Sequence, residues 1–327
     1  MMWHCGTRKR VEGKGAFEED AHRFFNIRAY MVNRERLAGI LLVFFQAIPV
    51  SLRRRLFIGL ARLFYCFVPR QRMIALHNLR QAFPEKTDGE ILKIARGVYR
   101  TLGIVAAEFF DLPKFTSKNV REIVETEGVE NCERALAKGK GVLLFSAHFG
   151  NWELEAAAVA LLVKPAVVIY RPLDSPLLDS LVSRVRSASG NKPLPKENAM
   201  RAMIRTLHKN GMLGILIDQN TDWYEGVFVN YFGRPACTTS GLAHLALHSG
   251  APVLPAYLIR LSEGRYRLVI EPALEIIDTG DREADVIANT QRFTKVIEDV
   301  VRKYPEQWLW VHQRWKTQLC QIPLKSR

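Results

Sequence analysis

The pattern of hydrophobic and polar positions changes near Gly139. Before this glycine, apolar residues recur three and four positions apart, which is typical of helices that bury one face. This spacing predicts helices over residues 71–83, 88–110 and 129–138. Thr87 or Asp88 is a suitable N-cap for the second helix, and Pro84 separates it from the first.

After Gly139, short continuous apolar runs alternate with helical patterns. The runs predict buried strands over residues 142–146, 166–170, 213–217, 253–259 and 265–270. The helical patterns cover residues 154–163, 177–188, 199–209, 239–248 and 283–304. Strands that alternate with helices are typical of parallel sheets. We therefore predict an α/β fold with a mainly parallel central sheet and helices on both faces, in a domain over residues 71–327.

The N-terminal part of the chain has a different pattern. Residues 1–34 are polar and charged, which predicts a loosely ordered leader, and Met31 is a possible alternative start. Residues 35–70 are strongly apolar and predict a helical membrane-anchor region. The run at 37–50 would rise only about 20 Å as a helix, whereas a bilayer core is about 30 Å thick. We therefore expect a shallow anchor or an in-plane hairpin; two ordinary core helices are the alternative.

The charge of the chain indicates an anionic partner. Lysine and arginine number 47 against 33 acidic residues, for a net charge of +14. The arginines stand beside apolar runs, as in the segment 51–57, and this mixture suits an anionic membrane surface better than a nucleic-acid groove. No nucleic-acid-binding motif is recognisable in the sequence, so we expect no nucleic-acid partner.

The cysteines predict neither a disulfide framework nor a metal site. The five cysteines are far apart, odd in number and without a C-x-x-C pair. We interpret them as reduced thiols in a cytosolic setting.

The stretch from Phe145 to Glu153 carries the candidate chemistry. A buried strand ends near Ser146, Gly150 permits a sharp turn, and Asn151 is a good N-cap for the next helix. His148 then lies just beyond the carboxyl end of a strand, where doubly wound sheets bind their ligands. An imidazole there suits a general base, and Glu153 in the first helical turn is predicted to orient it.

Two other interpretations of this stretch remain open. A histidine and a glutamate five residues apart occur by chance in many proteins, so the pair alone is weak evidence for catalysis. A metal site is less favoured still, because His148 and Glu153 supply two ligands and no third is evident.

Several motifs resemble those of one enzyme family. The segment His148 to Glu153 resembles the H-x-x-x-x-D/E motif of the lysophospholipid acyltransferase superfamily, and more closely its bacterial lipid A biosynthesis late acyltransferase branch (lauroyl and myristoyl acyltransferases). The resemblance covers roughly residues 37–318 and includes further segments, at 77–84, 170–172, 218–219, 226–229, 232–236, 304–308 and 312–316. Together these motifs are specific, whereas each alone would be weak.

The resemblance implies an O-acyltransferase that needs no cofactor. A fatty acyl group would pass from an acyl thioester, on acyl carrier protein or coenzyme A, to a hydroxyl of a lipid A precursor. The family's catalytic pair falls on His148 and Glu153. The predicted substrate-binding residues are Arg171, Arg186, Asp218, Gln219 and Phe232. An arginine would bind acceptor phosphate or stabilise the thioester oxyanion, and Asp218 and Gln219 would bind sugar hydroxyls or orient the site.

The resemblance also implies a location at the cytoplasmic face of the bacterial inner membrane. The acceptor stays open, because another glycolipid or a glycerolipid, of the phosphatidylinositol mannoside or lysophospholipid type, would need the same chemistry. An interpretation of a different class is a non-catalytic basic protein that docks on anionic membrane. Loss of function on replacing His148 separates that docking protein from an enzyme.

Overall fold

The computed structural model of the chain describes residues 34–197 and 199–321. The predicted polar leader, apart from Arg34, and the alternative start at Met31 lie outside these residues. The described chain forms ten helices and nine strands, with short 3₁₀ turns at Leu112–Lys114, Asn119–Glu122, Pro305–Gln307 and Leu319–Gln321.

Four helices precede the first strand of the sheet in the chain. They are α1 (Arg34–Ala47), α2 (Val50–Phe67), α3 (Pro69–Ala82) and α4 (Asp88–Phe109). The predicted cap of α4 is confirmed: Thr87 accepts a hydrogen bond from the backbone of Glu90, whose side chain in turn accepts from the backbone of Thr87. This reciprocal pair fixes where α4 begins.

The remaining elements are nine strands interspersed with six helices. The strands are β1 (Val124–Glu127), β2 (Val142–Ser146), β3 (Ala166–Tyr170), β4 (Lys192–Pro195), β5 (Met212–Leu216), β6 (Gly226–Tyr231), β7 (Arg234–Thr239), β8 (Val253–Ser262) and β9 (Arg265–Ile270). The helices are α5 (Val129–Leu136), α6 (Trp152–Leu162), α7 (Pro176–Ser187), α8 (Met200–His208), α9 (Gly241–Ser249) and α10 (Arg282–Lys303).

The central sheet has seven strands in the order β1-β9-β8-β2-β5-β3-β4. All neighbours run parallel except β8 and β9, which form an antiparallel pair. Strands β6 and β7 form a separate antiparallel hairpin. The prediction of an α/β fold with a mainly parallel sheet is therefore confirmed.

Each face of the sheet borders its own hydrophobic core. In β2, Leu143 and Phe145 belong to one buried cluster, while Val142 and Leu144 belong to the other. Successive side chains of a strand point to opposite faces, so a strand covered on both sides is apolar at every position. This double burial explains the continuous apolar runs in the sequence and confirms helices on both faces.

Four strands did not follow from the pattern. Strand β1 has the sequence Val-Glu-Thr-Glu with a single buried residue, and the edge strand β4 contains Pro193 and Pro195. Neither shows the apolar run of a buried strand. The hairpin β6–β7 lies outside the main sheet, and β7 takes the residues immediately before α9, so this helix begins at Gly241 rather than at residue 239.

Helices α1 and α2, called the helix pair below, meet at an angle of 108° across a short break. Within the described residues, neither helix is long and apolar enough to cross a bilayer by itself, although the bent pair together passes a test of length and composition. The buried Arg53 stabilises the bend, since it donates to the backbone of Phe45 and Ile48 and pairs with Asp111 beyond the end of α4.

Candidate active site

The register of β2 and β5 brings two polar side chains together. The strands are parallel neighbours, and Ser146 at the end of β2 lies opposite Leu216 at the end of β5. His148 and Asp218 each follow their strand by two residues, so both side chains emerge at the carboxyl edge of the sheet. This edge is where ligands bind in parallel α/β sheets.

His148 and Asp218 form a tight hydrogen-bonded pair. The ring Nδ1 of His148 lies 2.9 Å from Oδ1 of Asp218, and the backbone N–H of His148 donates to Oδ2 of the same carboxylate at 2.9 Å. The indole of Trp308 also donates to Oδ2, at 2.8 Å. The His148 side chain is 20% exposed whereas that of Asp218 is only 2% exposed. The ring therefore faces solvent while the carboxylate supports it from below.

The hydrogen bonds keep the Asp218 carboxylate ionised. Burial acts to raise the pKa of Asp218, but the charge of His148 and the hydrogen bonds from His148 and Trp308 outweigh burial and lower the pKa below its ordinary value. An ionised Asp218 accepts hydrogen bonds only, so Nδ1 of His148 carries a proton. In the neutral ring, the lone pair is therefore on Nε2.

Two side chains adjoin the ring of His148. The Gln219 amide nitrogen lies 3.3 Å from Nε2, and this glutamine is exposed. The Trp152 ring packs edge-on against the imidazole, with ring centroids 5.3 Å apart. The exposed amide of Gln219 therefore lies directly beside Nε2.

Glu153 forms its ion pair with Arg186. The guanidinium donates through Nε at 2.9 Å and through Nη2 at 2.5 Å, and the Trp152 indole donates to the same carboxylate at 3.1 Å. Burial acts to lower the pKa of Arg186, but the hydrogen bond and charge of Glu153 outweigh burial and raise it. Within the described residues, no hydrogen bond joins Glu153 to His148, and Trp152 contacts both side chains.

Residues 147–151, called the His148 turn below, connect β2 to α6. Asn151 caps α6 as predicted, since its side chain accepts from the Leu154 N–H at 3.1 Å. The residues after α10 pair with the turn: Gly150 N–H donates to the Gln307 carbonyl at 2.8 Å, and Leu309 N–H donates to the His148 carbonyl at 3.1 Å. The turn is therefore fixed by the Asn151 side chain at the start of α6 and by two backbone hydrogen bonds to the segment after α10.

Gly150 cannot carry a side chain in this turn. Its φ is +57°, and a Cβ there would lie 1.8 Å from the Leu258 carbonyl oxygen. We expect Gly150→Ala to lower the free energy of unfolding by about 2 kcal/mol or more and to reduce activity, because the turn must shift. Gly139→Ala is the matched control, since Gly139 has a similar φ of +70° with open space around its Cβ position. Equal losses in thermal unfolding for the two variants would contradict the importance of the close approach at Leu258.

The segment after α10 explains two of the sequence motifs. Asn78 on α3 donates to the Trp310 and His312 carbonyls, at 2.9 and 2.8 Å, and so holds this segment against the helix. His312 accepts the Asn220 N–H at 2.8 Å, and burial lowers its pKa to about 4, so the ring is neutral at pH 7. Sequence reasoning missed Trp308 as a partner of Asp218; its only signal was the motif at 304–308.

Arg171 and Phe232 lie apart from the residues around His148. Arg171 is an exposed residue after β3 and pairs with Asp174 at 3.2 Å. Phe232, at the turn between β6 and β7, is 5% exposed and packs against Phe83 and Trp310 in the hydrophobic core. Among the predicted site residues, the structure groups His148 with Asp218 and Gln219, and Glu153 with Arg186.

A second carboxyl group is buried beside the site. Glu155 on α6 accepts a hydrogen bond from Ser146 at 2.9 Å, and burial raises its pKa well above the ordinary value. Burial therefore favours the neutral form of this carboxyl group. Over residues 34–197 and 199–321, no three His, Cys, Asp or Glu side chains are grouped as a metal site requires.

Comparison with known proteins identifies the family. Residues 27–317 match the family model described as bacterial lipid A biosynthesis acyltransferase. The chain is 30% identical over 253 residues to the lipid A biosynthesis palmitoleoyltransferase of Escherichia coli (strain K12), covering 77% of this chain and 80% of that protein. It is 29% identical over 278 residues to the lipid A biosynthesis lauroyltransferase of the same organism, covering 84% and 89%.

A more distant relative acts on another lipid. The phosphatidylinositol mannoside acyltransferase of Mycobacterium tuberculosis (strain CDC 1551 / Oshkosh) is 26% identical over 236 residues, covering 67% of this chain and 70% of that protein. The family match spans the helix pair, the sheet, the His148 turn and the segment after α10. The chain thus belongs to the bacterial lipid A biosynthesis acyltransferase family, a family of acyl-transferring enzymes.

Proposed function

We propose that this protein transfers a fatty acyl group from an acyl thioester to a hydroxyl of a lipid A precursor, with His148 as the general base. The observation that carries this assignment is the 2.9 Å hydrogen bond between His148 Nδ1 and the buried Asp218. It leaves the Nε2 lone pair directed toward the exposed side of the site.

The reaction requires one proton transfer at Nε2. A hydroxyl is a weak nucleophile at neutral pH, so His148 takes its proton as the oxygen attacks the thioester carbon. Asp218 stabilises the imidazolium that forms. Collapse of the tetrahedral intermediate breaks the carbon–sulfur bond, and the proton passes from the ring to the departing thiolate. The products are the new ester and a free thiol.

Arg186 is suited to stabilise negative charge during this step. Glu153 binds its Nε and Nη2, and no partner among the described residues binds its Nη1. The remaining N–H groups are available for the thioester oxyanion or for an acceptor phosphate. In this arrangement Glu153 contributes by orienting Arg186 and Trp152, while Asp218 orients His148.

The acyl donor is a carrier-bound or coenzyme A thioester. The net charge of +14 favours association with an acidic carrier protein, because opposite charges accelerate encounter. Arg171, which is exposed after β3, is a candidate contact for the carrier or for the phosphates of coenzyme A.

The helix pair docks the enzyme on the cytoplasmic face of the inner membrane. On α2 the exposed apolar residues recur along one face, called the apolar stripe, at Leu52, Leu56, Leu60, Leu63 and Phe67. Exposed Arg55 and Arg62 border this stripe. An exposed apolar face bordered by arginines is complementary to an anionic bilayer, where each arginine contributes about 1 kcal/mol. A lipid acceptor is located at such a surface.

Replacing Leu60 and Leu63 by glutamine is expected to reduce affinity for vesicles of phosphatidylethanolamine and phosphatidylglycerol by about tenfold or more, since burying each leucine contributes about 1.5–3 kcal/mol. Co-sedimentation with vesicles measures the change. Ile287→Gln on α10 is the control, because Ile287 is also exposed but lies outside the helix pair. Unchanged binding by the double variant would exclude α2 as the docking surface.

The acceptor is identified by the mass of the product. Purified protein is supplied with acyl carrier protein thioester or acyl-CoA and with an under-acylated lipid A precursor, a phosphatidylinositol mannoside or a lysophospholipid. We expect the lipid A precursor to gain the mass of one acyl chain. A gain on another lipid alone would reassign the acceptor, and no gain on any acceptor would overturn the proposed activity.

A further inference from the structure

A buried carboxylate connects the helix pair to the His148 turn. Glu108 lies near the end of α4, and its side chain is only 7% exposed. Arg54 of α2 donates to Oε1 of Glu108 at 2.9 Å, while the Asn151 amide donates to Oε2 at 2.7 Å. The Tyr266 hydroxyl also donates to Oε2. One carboxylate therefore joins α2, the sheet and the His148 turn.

The Asn151 side chain has a fixed orientation because of this contact. Its oxygen accepts from the Leu154 N–H at the start of α6, and its nitrogen donates to Glu108. Reversing the amide would place donor against donor and acceptor against acceptor. Asn151 lies between His148 and Glu153 in the sequence, so Glu108 fixes the cap on which the positions of both side chains depend.

The other end of the connection belongs to the surface proposed to contact lipid. Arg54 and Arg53 are adjacent on α2, and Arg53 ties α1, α2 and the end of α4 together through Phe45, Ile48 and Asp111. The helix pair is thus attached to α4 by two arginines whose partners lie one helical turn apart. A displacement of the pair changes the position of Arg54 and, through Glu108, that of Asn151.

Resting on the proposed function at the membrane, we propose that Glu108 is a positioning residue that couples the seating of the helix pair to the geometry of the His148 turn. Turnover then depends on the Arg54–Glu108–Asn151 connection as well as on the residues that contact substrate. The coupling makes the site fully ordered when the helix pair is held in place, as it is on a lipid surface.

Hydrogen exchange tests the coupling without any substrate. In Arg54→Met and Glu108→Gln, amide exchange within residues 147–155 is expected to rise about tenfold, because a charge-assisted hydrogen bond in the connection is lost. Arg96→Met is the matched control for Arg54→Met, since Arg96 is an exposed arginine of α4 outside the helix pair and has no hydrogen bond or ion pair in the described chain. Unchanged exchange in Arg54→Met would overturn the coupling.

Turnover distinguishes positioning from plain stability. Asp285→Asn is the control for Glu108→Gln, because Asp285 is also a buried carboxylate with several donors, at the start of α10. We expect Glu108→Gln to lower kcat about tenfold with little change in KM for the acyl donor, and the Arg54→Met/Glu108→Gln double variant to be no worse. Asp285→Asn should lower the unfolding temperature and preserve kcat. A fully additive double variant would contradict one shared connection.

The two proposals fail in different ways. If the wild-type protein transfers no acyl group to any acceptor, the proposed function fails, while the exchange experiment still reports whether Arg54 controls the His148 turn. If acyl transfer proceeds but Arg54→Met matches the wild type in both exchange and kcat, only the coupling fails.

Discussion

Replacing His148 by alanine is expected to lower the rate of acyl transfer by about a thousandfold, because general base catalysis contributes about 10²–10⁴-fold. The ring supplies the Nε2 lone pair that accepts the hydroxyl proton, and no described residue next to it offers an equivalent base. Gln219, the side chain nearest to Nε2, carries an amide that does not titrate. The measurement is kcat with vesicle-bound acceptor at saturating acyl thioester.

The His148 variant should still fold and bind membrane. The backbone N–H that donates to Asp218 is retained, and the apolar stripe is untouched. His208→Ala is the matched control, since this histidine is exposed at the end of α8. Full acyl-transfer activity of His148→Ala would exclude His148 as the general base.

The fold followed from the sequence wherever burial alone determined the pattern. Strand β2 is apolar at every position because both faces are covered, and its bounds were predicted without error. The edge strand β4 was not predicted, because its prolines and exposed positions do not resemble a buried strand. Alternation between strands and helices was sufficient for the class of fold, since crossover helices force neighbouring strands to run parallel.

The contacts within the site depend on strand order, which a single sequence does not reveal. In the sheet, β5 lies directly beside β2, although β3 and β4 come between them in the chain. That order brings Asp218 to Nδ1 of His148 across 70 residues of sequence. Local spacing favoured Glu153 as the partner of the histidine, because it is five residues away. In the structure Glu153 pairs with Arg186.

The residues after α10 show the same limit. The motif at 304–308 indicated that this segment matters, but it did not show which residue its side chains contact. Only the fold places the Trp308 indole 2.8 Å from Asp218. Glu108 had no signal at all, since a lone acid near the end of an amphipathic helix is usually solvated. Its role follows from the packing of α2 and α4, which sequence periodicity describes only as two buried faces.

Asp218→Asn is the variant that shows whether Asp218 or Glu153 orients the ring of His148. Oδ2 of Asp218 accepts from two fixed donors, the His148 N–H and the Trp308 indole. An asparagine must keep its oxygen at that position, so its NH₂ group faces Nδ1 of His148. The ring is then forced to accept at Nδ1 and to carry its proton on Nε2, which removes the base. We expect kcat to fall by about 10³–10⁴, as is known when the corresponding change inverts the tautomer in a serine protease triad.

Glu153→Gln is the comparison variant for Asp218→Asn. A glutamine can still accept from Arg186 through its oxygen, so we expect a smaller loss, concentrated in steps that need the guanidinium. Nitrogen NMR of the imidazole reports the tautomer directly: Nδ1–H in the wild type and Glu153→Gln, and Nε2–H in Asp218→Asn. If Asp218→Asn retained both the tautomer and the rate while Glu153→Gln abolished them, the orienting carboxylate would be Glu153, and the arrangement around Asp218 would serve stability alone.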